Sequence, residues 1–261
     1  MDSDTTYHAD IMPLVRVMHR LRDPDSGCAW DIAQDFASIA PYTIEEAYEV
    51  ADAIERGDIA GLRDELGDLL LQVTFHARIA EQADHFTLQQ VIDGIAQKMI
   101  RRHPHIFQAQ ANRVDGHAQW ETIKAAERAD KGEDASALTG VALALPALLR
   151  AEKLQKRAAR TGFDWPDAAG ANAKIAEELE EVTAAANPAE REEEIGDLLF
   201  SVVNLARHLK VDPEVALRKA NAKFEARFRE MERSAGPAFA ELPLDAKETL
   251  WRDAKISLKD G

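Results

Sequence analysis

The second half of this chain repeats the first half, and this duplication is the strongest constraint on its fold. Three pairs of segments share a clear pattern: GCAWD at residues 27–31 with GFDWP at 162–166, IEEAYEV at 44–50 with AEELEEV at 176–182, and DELGDLLLQV at 64–73 with EEIGDLLFSV at 193–202. Two weaker pairs follow in the same order: QKMIRR at 97–102 with AKFEAR at 222–227, and QWETIK at 119–124 with LWRDAK at 250–255. Five ordered matches predict two copies of one structural unit.

The joint between the copies is expected in the polar segment ADKGEDASALTG, residues 129–140. It contains two glycines and a Ser/Thr signal ahead of the next apolar run, which is typical of a connection between domains. We therefore predict a first helical domain at residues 1–130, a linker at 131–140 and a second helical domain at 141–261.

Both copies are predicted to be helical, because no segment alternates apolar and polar residues in the manner of a strand. The fold class is all-α, a tandem duplication of a bundle of four to five helices. The predicted helices are 8–22, 42–56, 59–81, 88–102 and 117–128 in the first copy, and 145–159, 168–185, 189–210, 213–233 and 245–255 in the second.

Short turns are expected to join the two acidic helices of each copy. Gly57 and Asp58 suit a helix end and the next helix cap, and Asn187 with Pro188 suits the same turn in the second copy. Pro41 is placed in the first turn of its helix. Such short turns predict antiparallel contact between the two helices.

The composition excludes several functions. The net charge is −15, which disfavours a general nucleic-acid binder, because such proteins need cationic surface. Cys28 is the only cysteine, and neither a signal peptide nor an apolar run long enough to span a bilayer is apparent. These observations predict a cytoplasmic protein without a membrane or nucleic-acid partner.

Acidic residues lie on helix faces where a core is expected. Glu46 and Glu49 share the angular sector of the apolar residues of their helix. In the next helix, Glu65 and Asp68 follow the edge of a predicted apolar stripe formed by Leu62, Leu66, Leu69 and Val73. The second copy repeats the arrangement with Glu178, Glu181, Glu194 and Asp197. Buried carboxylates are costly without a cation, so these positions predict one.

Four carboxylates without His or Cys at ligand spacing are the ligand set of Mg²⁺, with Mn²⁺ as the alternative. Lys98 with Arg102, and Lys223 with Arg227, place a pair of cations one helical turn apart on a later helix. Metal and cations together predict a site for a polyphosphate ester, in which metal-activated water attacks phosphorus and a carboxylate acts as base.

Gly67 and Gly196 lie between the acids of the two ExxD segments, inside a helix where glycine costs up to about 1 kcal/mol relative to alanine. Two interpretations are open. Either the facing helix or a ligand approaches closely at these positions, or the glycines serve packing alone.

The acidic pattern resembles the signature of the MazG nucleoside triphosphate pyrophosphohydrolases, EExxE followed by ExxD. It occurs as Glu45, Glu46, Glu49 with Glu65, Asp68, and again as Glu177, Glu178, Glu181 with Glu194, Asp197. Segments such as HRLRDPDSGCAWD, RRHPHIF and GFDW extend the resemblance to the two-repeat bacterial type over essentially the whole chain. It implies an all-α, Mg²⁺-dependent, dimeric enzyme that converts a nucleoside triphosphate to the monophosphate and pyrophosphate, and a role in removing atypical nucleotides.

The resemblance also implies residue roles. Metal ligands would be Glu178, Glu181, Glu194 and Asp197, with Glu46, Glu49, Glu65 and Asp68 as their counterparts. Glu177 and Glu193 are similar to residues that support water or a further metal ion, which makes the catalytic group Glu177, Glu178, Glu181 and Glu193. Phosphate or base contacts are implied for Lys174, Lys223, Arg227 and Trp251.

The two copies differ at one position beside the acids. Lys174 lies one turn before Glu178, whereas the equivalent residue of the first copy is Tyr42. The second copy is therefore expected to carry most of the activity. A di-iron carboxylate bundle is disfavoured because neither ExxD segment supplies the Glu-x-x-His motif. A non-catalytic helical dimer scaffold or adaptor is the remaining alternative.

Overall fold

A computed structural model of the protein describes residues 10–107 and 136–258, and every regular element in these ranges is a helix. The prediction of an all-α fold is confirmed. The chain divides into two compact units, Met1–Glu127 and Arg128–Gly261, and each carries one copy of the repeat. The predicted helix at 117–128 lies outside the described residues, as does half of the predicted linker, so the domain limits stay a prediction.

The first unit is built on two long antiparallel helices. Its helices are α1 (Met12–Leu21), α2 (Ala29–Ala33), α3 (Phe36–Arg56), α4 (Ile59–Gln82), α5 (Leu88–Arg102) and α6 (Pro104–Phe107). Helices α3 and α4 pack along each other, and α1 and α5 pack on α4. The core cluster lies where α1, α3 and α4 meet, and consists of Met18, Ile39, Phe75 and Ile79 with Leu71 at its edge.

The second unit repeats the central pair. Its helices are α7 (Ala147–Ala159), α8 (Ala168–Ala184), α9 (Pro188–His208), α10 (Pro213–Ala235) and α11 (Leu244–Ser257), with a 3₁₀ turn at Gly236–Glu241. Helices α8 and α9 pack along each other, α7 lies on α9, and α10 packs mainly against α11. Among the described helices, none has the length and apolar character needed to cross a membrane.

The predicted turns of both central pairs are confirmed. Gly57 ends α3 with φ of 67°, a left-handed conformation that glycine adopts at low cost. Asp58 then caps α4 by accepting a hydrogen bond from the backbone N–H of Gly61 at 2.9 Å. In the second unit, the Asn187 side chain accepts hydrogen bonds from Ala189 N and Glu190 N, both at 3.0 Å. These caps fix the antiparallel arrangement on which the acidic clusters depend.

The predicted start of the first acidic helix was wrong. Helix α3 begins at Phe36, so Pro41 lies inside the helix and not in its first turn. The reason is a capping box that sequence analysis missed. The carboxylate of Asp35 accepts from Ser38 N at 2.8 Å, and Ser38 Oγ accepts from Asp35 N at 2.9 Å. This cap starts the helix at Phe36. Its two hydrogen bonds offset the one backbone hydrogen bond that is lost because Pro41 has no N–H.

The predicted apolar stripe of α4 was also wrong in part. Leu66 and Val73 are exposed, and the residues buried along α4 lie toward its C-terminal half, among them Phe75 and Ile79. The helix has apolar residues on more than one face, and the described residues leave Leu66 and Val73 exposed.

The glycines inside the ExxD segments are not explained by a close helix. A Cβ atom built on Gly67 or Gly196 would meet no heavy atom within 4 Å among the described residues. The expectation that the facing helix of the same unit approaches closely is therefore not supported.

Candidate metal centre

Helices α8 and α9 bring three predicted metal ligands together. Glu178 and Glu181 lie one turn apart on α8, and Glu194 comes from the antiparallel α9. One carboxylate oxygen from each of the three lies within 4.8 Å of the others. The first unit repeats this cluster with oxygens of Glu46, Glu49 and Glu65.

Burial differs sharply among the acids. Glu178 is only 2% exposed, and its buried Oε2 atom has no hydrogen-bond partner within residues 10–107 and 136–258. Glu194 is half-buried and Glu181 is exposed. In the first unit, Glu46 is half-buried. An orphaned carboxylate oxygen in the interior is costly, and it indicates where a cation would bind.

Lys174 lies beside the buried carboxylate. Its Nζ atom is 2.7 Å from Glu178 Oε1 and 2.8 Å from Glu177 Oε1. The hydrogen bonds with Glu177 and Glu178 raise the pKa of Lys174, so it is fully charged. The equivalent Tyr42 instead contacts the Trp30 ring edge-on, with the ring centroids 6.2 Å apart. Only the second unit therefore places an ammonium group at this position.

The carboxylates repel one another. Burial, followed by the negative charges of Glu181, Glu178, Glu193 and Asp197, raises the pKa of Glu194. Burial also raises the pKa of Glu181, where Lys174 opposes the effect of the neighbouring acids. In the first unit, burial and the neighbouring carboxylates raise the pKa of Glu46 and Glu65. Such clusters are expected where a cation supplies the compensating charge.

Asp197 and Asp68 lie at the margin of these clusters. Asp197 contributes to the raised pKa of Glu194, and Asp68 contributes to those of Glu46 and Glu65. Neither aspartate belongs to the groups of three whose oxygens lie within 4.8 Å.

Arg56 is a nearby cation that sequence analysis missed. Its charge opposes the raised pKa of Glu65. The signal was available in the spacing, because Arg56 follows Glu49 by two helical turns on the same face of α3.

Two of the residues predicted to contact phosphate or base, Arg227 and Trp251, lie against each other. The Arg227 guanidinium lies 5.5 Å from the centre of the Trp251 ring, and Trp251 packs against Phe224 with the ring centroids 5.4 Å apart. Lys223 is exposed on the same helix, α10. Within the described ranges, the ring and cation–π contacts of these two residues are with each other and with Phe224.

The first-unit cations lie at the end of α5. Lys98 and Arg102 are both half-buried there. His103 follows them and ends the helix, with its Nδ1 atom 2.7 Å from Met99 O, as expected for a residue that shapes this helix end.

The donor set fits a hard cation. All three close ligands in each unit are carboxylate oxygens, and the described residues offer no nitrogen or sulfur ligand in either group. Oxygen donors of this type suit Mg²⁺ or Mn²⁺ better than Zn²⁺.

The raised pKa values predict how the metal-free protein responds to pH. A glutamate whose pKa is raised on folding contributes most to stability below its ordinary value of 4.5. That contribution is lost as pH rises through the raised pKa. In the presence of a chelator, we therefore expect the Tm to change differently with pH in the two proteins. As pH rises above 4.5, the Tm of Glu194→Gln should fall less than the Tm of the unmodified protein.

Thermal unfolding followed by circular dichroism across this pH range measures the difference. Glu192→Gln on the same helix is the control, because Glu192 is exposed and belongs to neither cluster. Parallel pH profiles for all three proteins would contradict the prediction.

Comparison with known proteins agrees with this geometry. The family model of the MazG nucleotide pyrophosphohydrolase domain matches residues 34–107 and 170–231, which contain the two acidic clusters. The nucleoside triphosphate pyrophosphohydrolase of Escherichia coli (strain K12) is 48% identical over 252 residues, covering 93% of this chain and 95% of that protein. The nucleoside triphosphate pyrophosphohydrolase/pyrophosphatase MazG of Thermotoga maritima is 46% identical over 245 residues, covering 93% and 94%. The chain therefore belongs to the MazG nucleotide pyrophosphohydrolase family of enzymes.

Proposed function

We propose that this protein hydrolyses nucleoside triphosphates between the α and β phosphates and releases the monophosphate and pyrophosphate. The observation that carries the proposal is the buried Oε2 of Glu178, which has no partner among the described residues and lies beside two further carboxylates and the Lys174 ammonium. Membership of the MazG family and the activity for which two relatives are named support the same reaction and disfavour a non-catalytic adaptor.

We assign the metal to the acids of each cluster. In the second unit the ligands are Glu178, Glu181, Glu194 and Asp197, and in the first unit their counterparts are Glu46, Glu49, Glu65 and Asp68. When bound, Mg²⁺ or Mn²⁺ supplies positive charge for phosphate oxygens and lowers the pKa of a coordinated water.

The neighbouring side chains provide proton acceptance and positioning. A carboxylate is the expected proton acceptor for the attacking water, and the family resemblance offers Glu177, Glu178, Glu181 and Glu193 for this role. Glu177 and Glu193 flank the ligands in the sequence, and the family resemblance assigns them to orient water. Glu178 would hold the metal, and the charged Lys174 ammonium beside it would contact a phosphate oxygen.

Phosphate and base contacts are assigned by the family resemblance. Lys223 and Arg227 would bind the triphosphate, and Trp251 would offer a stacking surface. The adjacency of Arg227 and Trp251 supports a shared role. Lys98 and Arg102 would be the cations of the first unit.

The second unit is proposed to carry most of the activity. Its Lys174 is replaced by Tyr42 in the first unit, and its Glu178 is more deeply buried than Glu46. A more buried carboxylate interacts more strongly with a bound cation.

A homodimer is proposed as the working unit. Exposed apolar residues recur at equivalent positions of the two copies: Leu66, Leu70 and Val73 on α4, and Ile195, Leu199 and Val202 on α9. A stripe at this helical spacing needs a partner surface, and a second copy of the chain would supply one.

Product analysis tests the reaction. The protein is incubated with Mg²⁺ and a panel of ordinary and modified (d)NTPs, and the products are separated by ion-exchange chromatography. We expect the monophosphate and pyrophosphate in equal amounts. A diphosphate with inorganic phosphate, or no turnover of any member of the panel, would contradict the proposal.

Replacement of Lys174 by methionine should reduce kcat/KM by about tenfold to a hundredfold, because it removes one charge-assisted contact. Steady-state pyrophosphate release measures the change. Lys153→Met is the matched control, since Lys153 is exposed on α7 of the same unit. Equal kcat/KM values for the two variants would exclude a substrate contact by Lys174.

A further inference from the structure

The second unit contains a cavity of about 530 Å³ whose lining does not include the acids of the cluster. It lies between α7, α9 and the loop that precedes α8. Aromatic side chains of Phe163, Trp165 and Phe200 line it, together with the polar side chains of Gln155, Asn204 and Arg207. This volume suits a small organic ligand, and such sites typically combine apolar walls with a few polar groups.

The duplication shows that the cavity replaces a packed core. The alignment of the ExxD segments equates Phe75 with Asn204 and Ile79 with His208. Phe75 and Ile79 are buried in the core cluster of the first unit. The second unit has thus exchanged two large apolar side chains for polar ones, although filling the space would favour stability. Of the two polar residues, His208 pairs with Asp164 and Asn204 lines the cavity, so a ligand in this space accounts for the exchange at Asn204.

Gln155 presents a buried hydrogen-bond acceptor to the cavity. The side chain is 7% exposed, and its Nε2 donates to Phe200 O at 2.8 Å. This bond fixes the orientation of the amide, and the buried Oε1 has no hydrogen-bond partner in the part of the chain that the structure describes. A ligand in the cavity would satisfy Oε1 with an N–H or O–H donor.

The charges around the cavity are already neutralised. Arg207 forms an ion pair with Asp164, and Asp164 Oδ1 is also 3.2 Å from His208 Nε2. The bonds from Arg207 lower the pKa of Asp164, so its carboxylate stays charged. Arg207 further donates to Asn204 Oδ1, at 2.7 Å from Nη2. An anionic ligand group would face the Asp164 carboxylate, so a neutral ligand is favoured.

The aromatic wall is held in place by a glycine. The Trp165 indole lies so close to α8 that a Cβ atom on Gly170 would be 2.6 Å from its Cδ2 atom. Only glycine permits this approach. The indole is therefore a fixed, half-exposed surface suited to stacking with a planar ring.

We propose that this cavity binds an uncharged aromatic heterocycle with an N–H donor, namely a nucleobase, between its aromatic walls and Gln155 Oε1. Two sources share this chemistry: a separate nucleoside, or the base of the nucleotide held at the acidic cluster, in which case the cavity would contact the base in place of Trp251. Phe200 and Asn204 follow Asp197 by one and two turns on one face of α9, about 5 and 10 Å along the axis, which keeps the second source within reach. Assignment to the substrate rests on the proposed function, whereas binding of a free nucleoside does not.

Direct binding of nucleosides tests the proposal without metal or turnover. The full chain is studied by isothermal titration calorimetry in the presence of a chelator. The titrants are adenosine, guanosine, cytidine and uridine. We expect saturable binding of at least one of them. Two ligand controls lack a donor: purine riboside has no exocyclic amine, and 3-methyluridine has no ring N–H. Each should bind about tenfold more weakly than adenosine or uridine, respectively.

Two variants locate the binding. Gln155→Met keeps the size of the side chain but removes the acceptor, and should weaken nucleoside binding about tenfold. Gln72→Met is the matched control, because Gln72 is a buried glutamine of the first unit whose Oε1 also has no partner among the residues described. Asn204→Phe copies the first unit and fills the cavity, so it should abolish binding while the Tm stays the same or rises.

Inhibition kinetics separate the two sources. Competitive inhibition of NTP hydrolysis by the bound nucleoside assigns the cavity to the substrate base, and non-competitive behaviour assigns it to a separate ligand. The proposal is overturned if no nucleoside binds saturably, or if Asn204→Phe binds nucleoside like the unmodified protein. It is also overturned if no nucleoside binds and Asn204→Phe instead changes the oligomeric state. Absence of NTP hydrolysis with nucleoside binding intact would instead overturn the proposed function alone.

Discussion

Replacement of Glu178 by glutamine is expected to lower kcat for pyrophosphate release by about 10³-fold, or about 4 kcal/mol of transition-state stabilisation. Glu178 is the deeply buried acid of its cluster, and its Oε2 has no partner among the described residues. Glutamine has nearly the same shape but cannot neutralise a divalent cation. The effect should therefore come from lost charge and not from lost packing.

The duplication provides the control for this experiment. Glu46→Gln makes the same change at the equivalent position of the first unit, where the acid is half-buried and no lysine occupies the position of Lys174. We expect kcat to stay within about threefold of the unmodified value, since the second unit is proposed to supply most of the activity. Circular dichroism establishes that both variants are folded. Full activity of Glu178→Gln would end the assignment of catalysis to the second unit.

Removal of divalent metal is expected to abolish NTP hydrolysis, with a loss of at least about 10³-fold in rate. Burial, together with repulsion among the acids of each cluster, raises the pKa of Glu46, Glu65, Glu181 and Glu194. A bound cation replaces this repulsion with attraction. The folded protein should consequently be stabilised by Mg²⁺ or Mn²⁺ as well as activated.

Two measurements check this expectation. Hydrolysis is assayed in excess EDTA and again after addition of Mg²⁺ or Mn²⁺, which should restore it. In parallel, the gain in unfolding free energy at a metal concentration 100-fold above Kd should be about 2.7 kcal/mol for one site. The double variant Glu46→Gln, Glu178→Gln should lose most of this gain. Hydrolysis that persists in excess EDTA would contradict a metal-dependent mechanism.

Much of the architecture could be read from local sequence signals. The turns at Gly57 and Asn187 depend on residues within a few positions of each other, and both were predicted correctly. The start of α3 was misplaced because Pro41 was weighed without the capping box of Asp35 and Ser38. In this case two local signals competed, and the two hydrogen bonds of the cap prevailed over the helix preference of one proline.

The acidic clusters were predictable for a similar reason. Helical periodicity sets the angle of each side chain, and the short turns set which helices are neighbours. These two rules were enough to expect that Glu178, Glu181 and Glu194 converge. They were not enough to identify which face of α4 is covered, because Leu66 and Val73 are apolar and nevertheless exposed.

The sequence by itself determined the duplication, the helical class and the acids that converge, because these depend on spacing along the chain. The tertiary structure alone decided that Glu178 is buried while Glu181 is exposed, since burial depends on atoms from other helices. It also decided that the core of the first unit is matched by a cavity in the second. A cavity is the space left by side chains from α7, α9 and a distant loop, and no periodicity along one helix encodes that space.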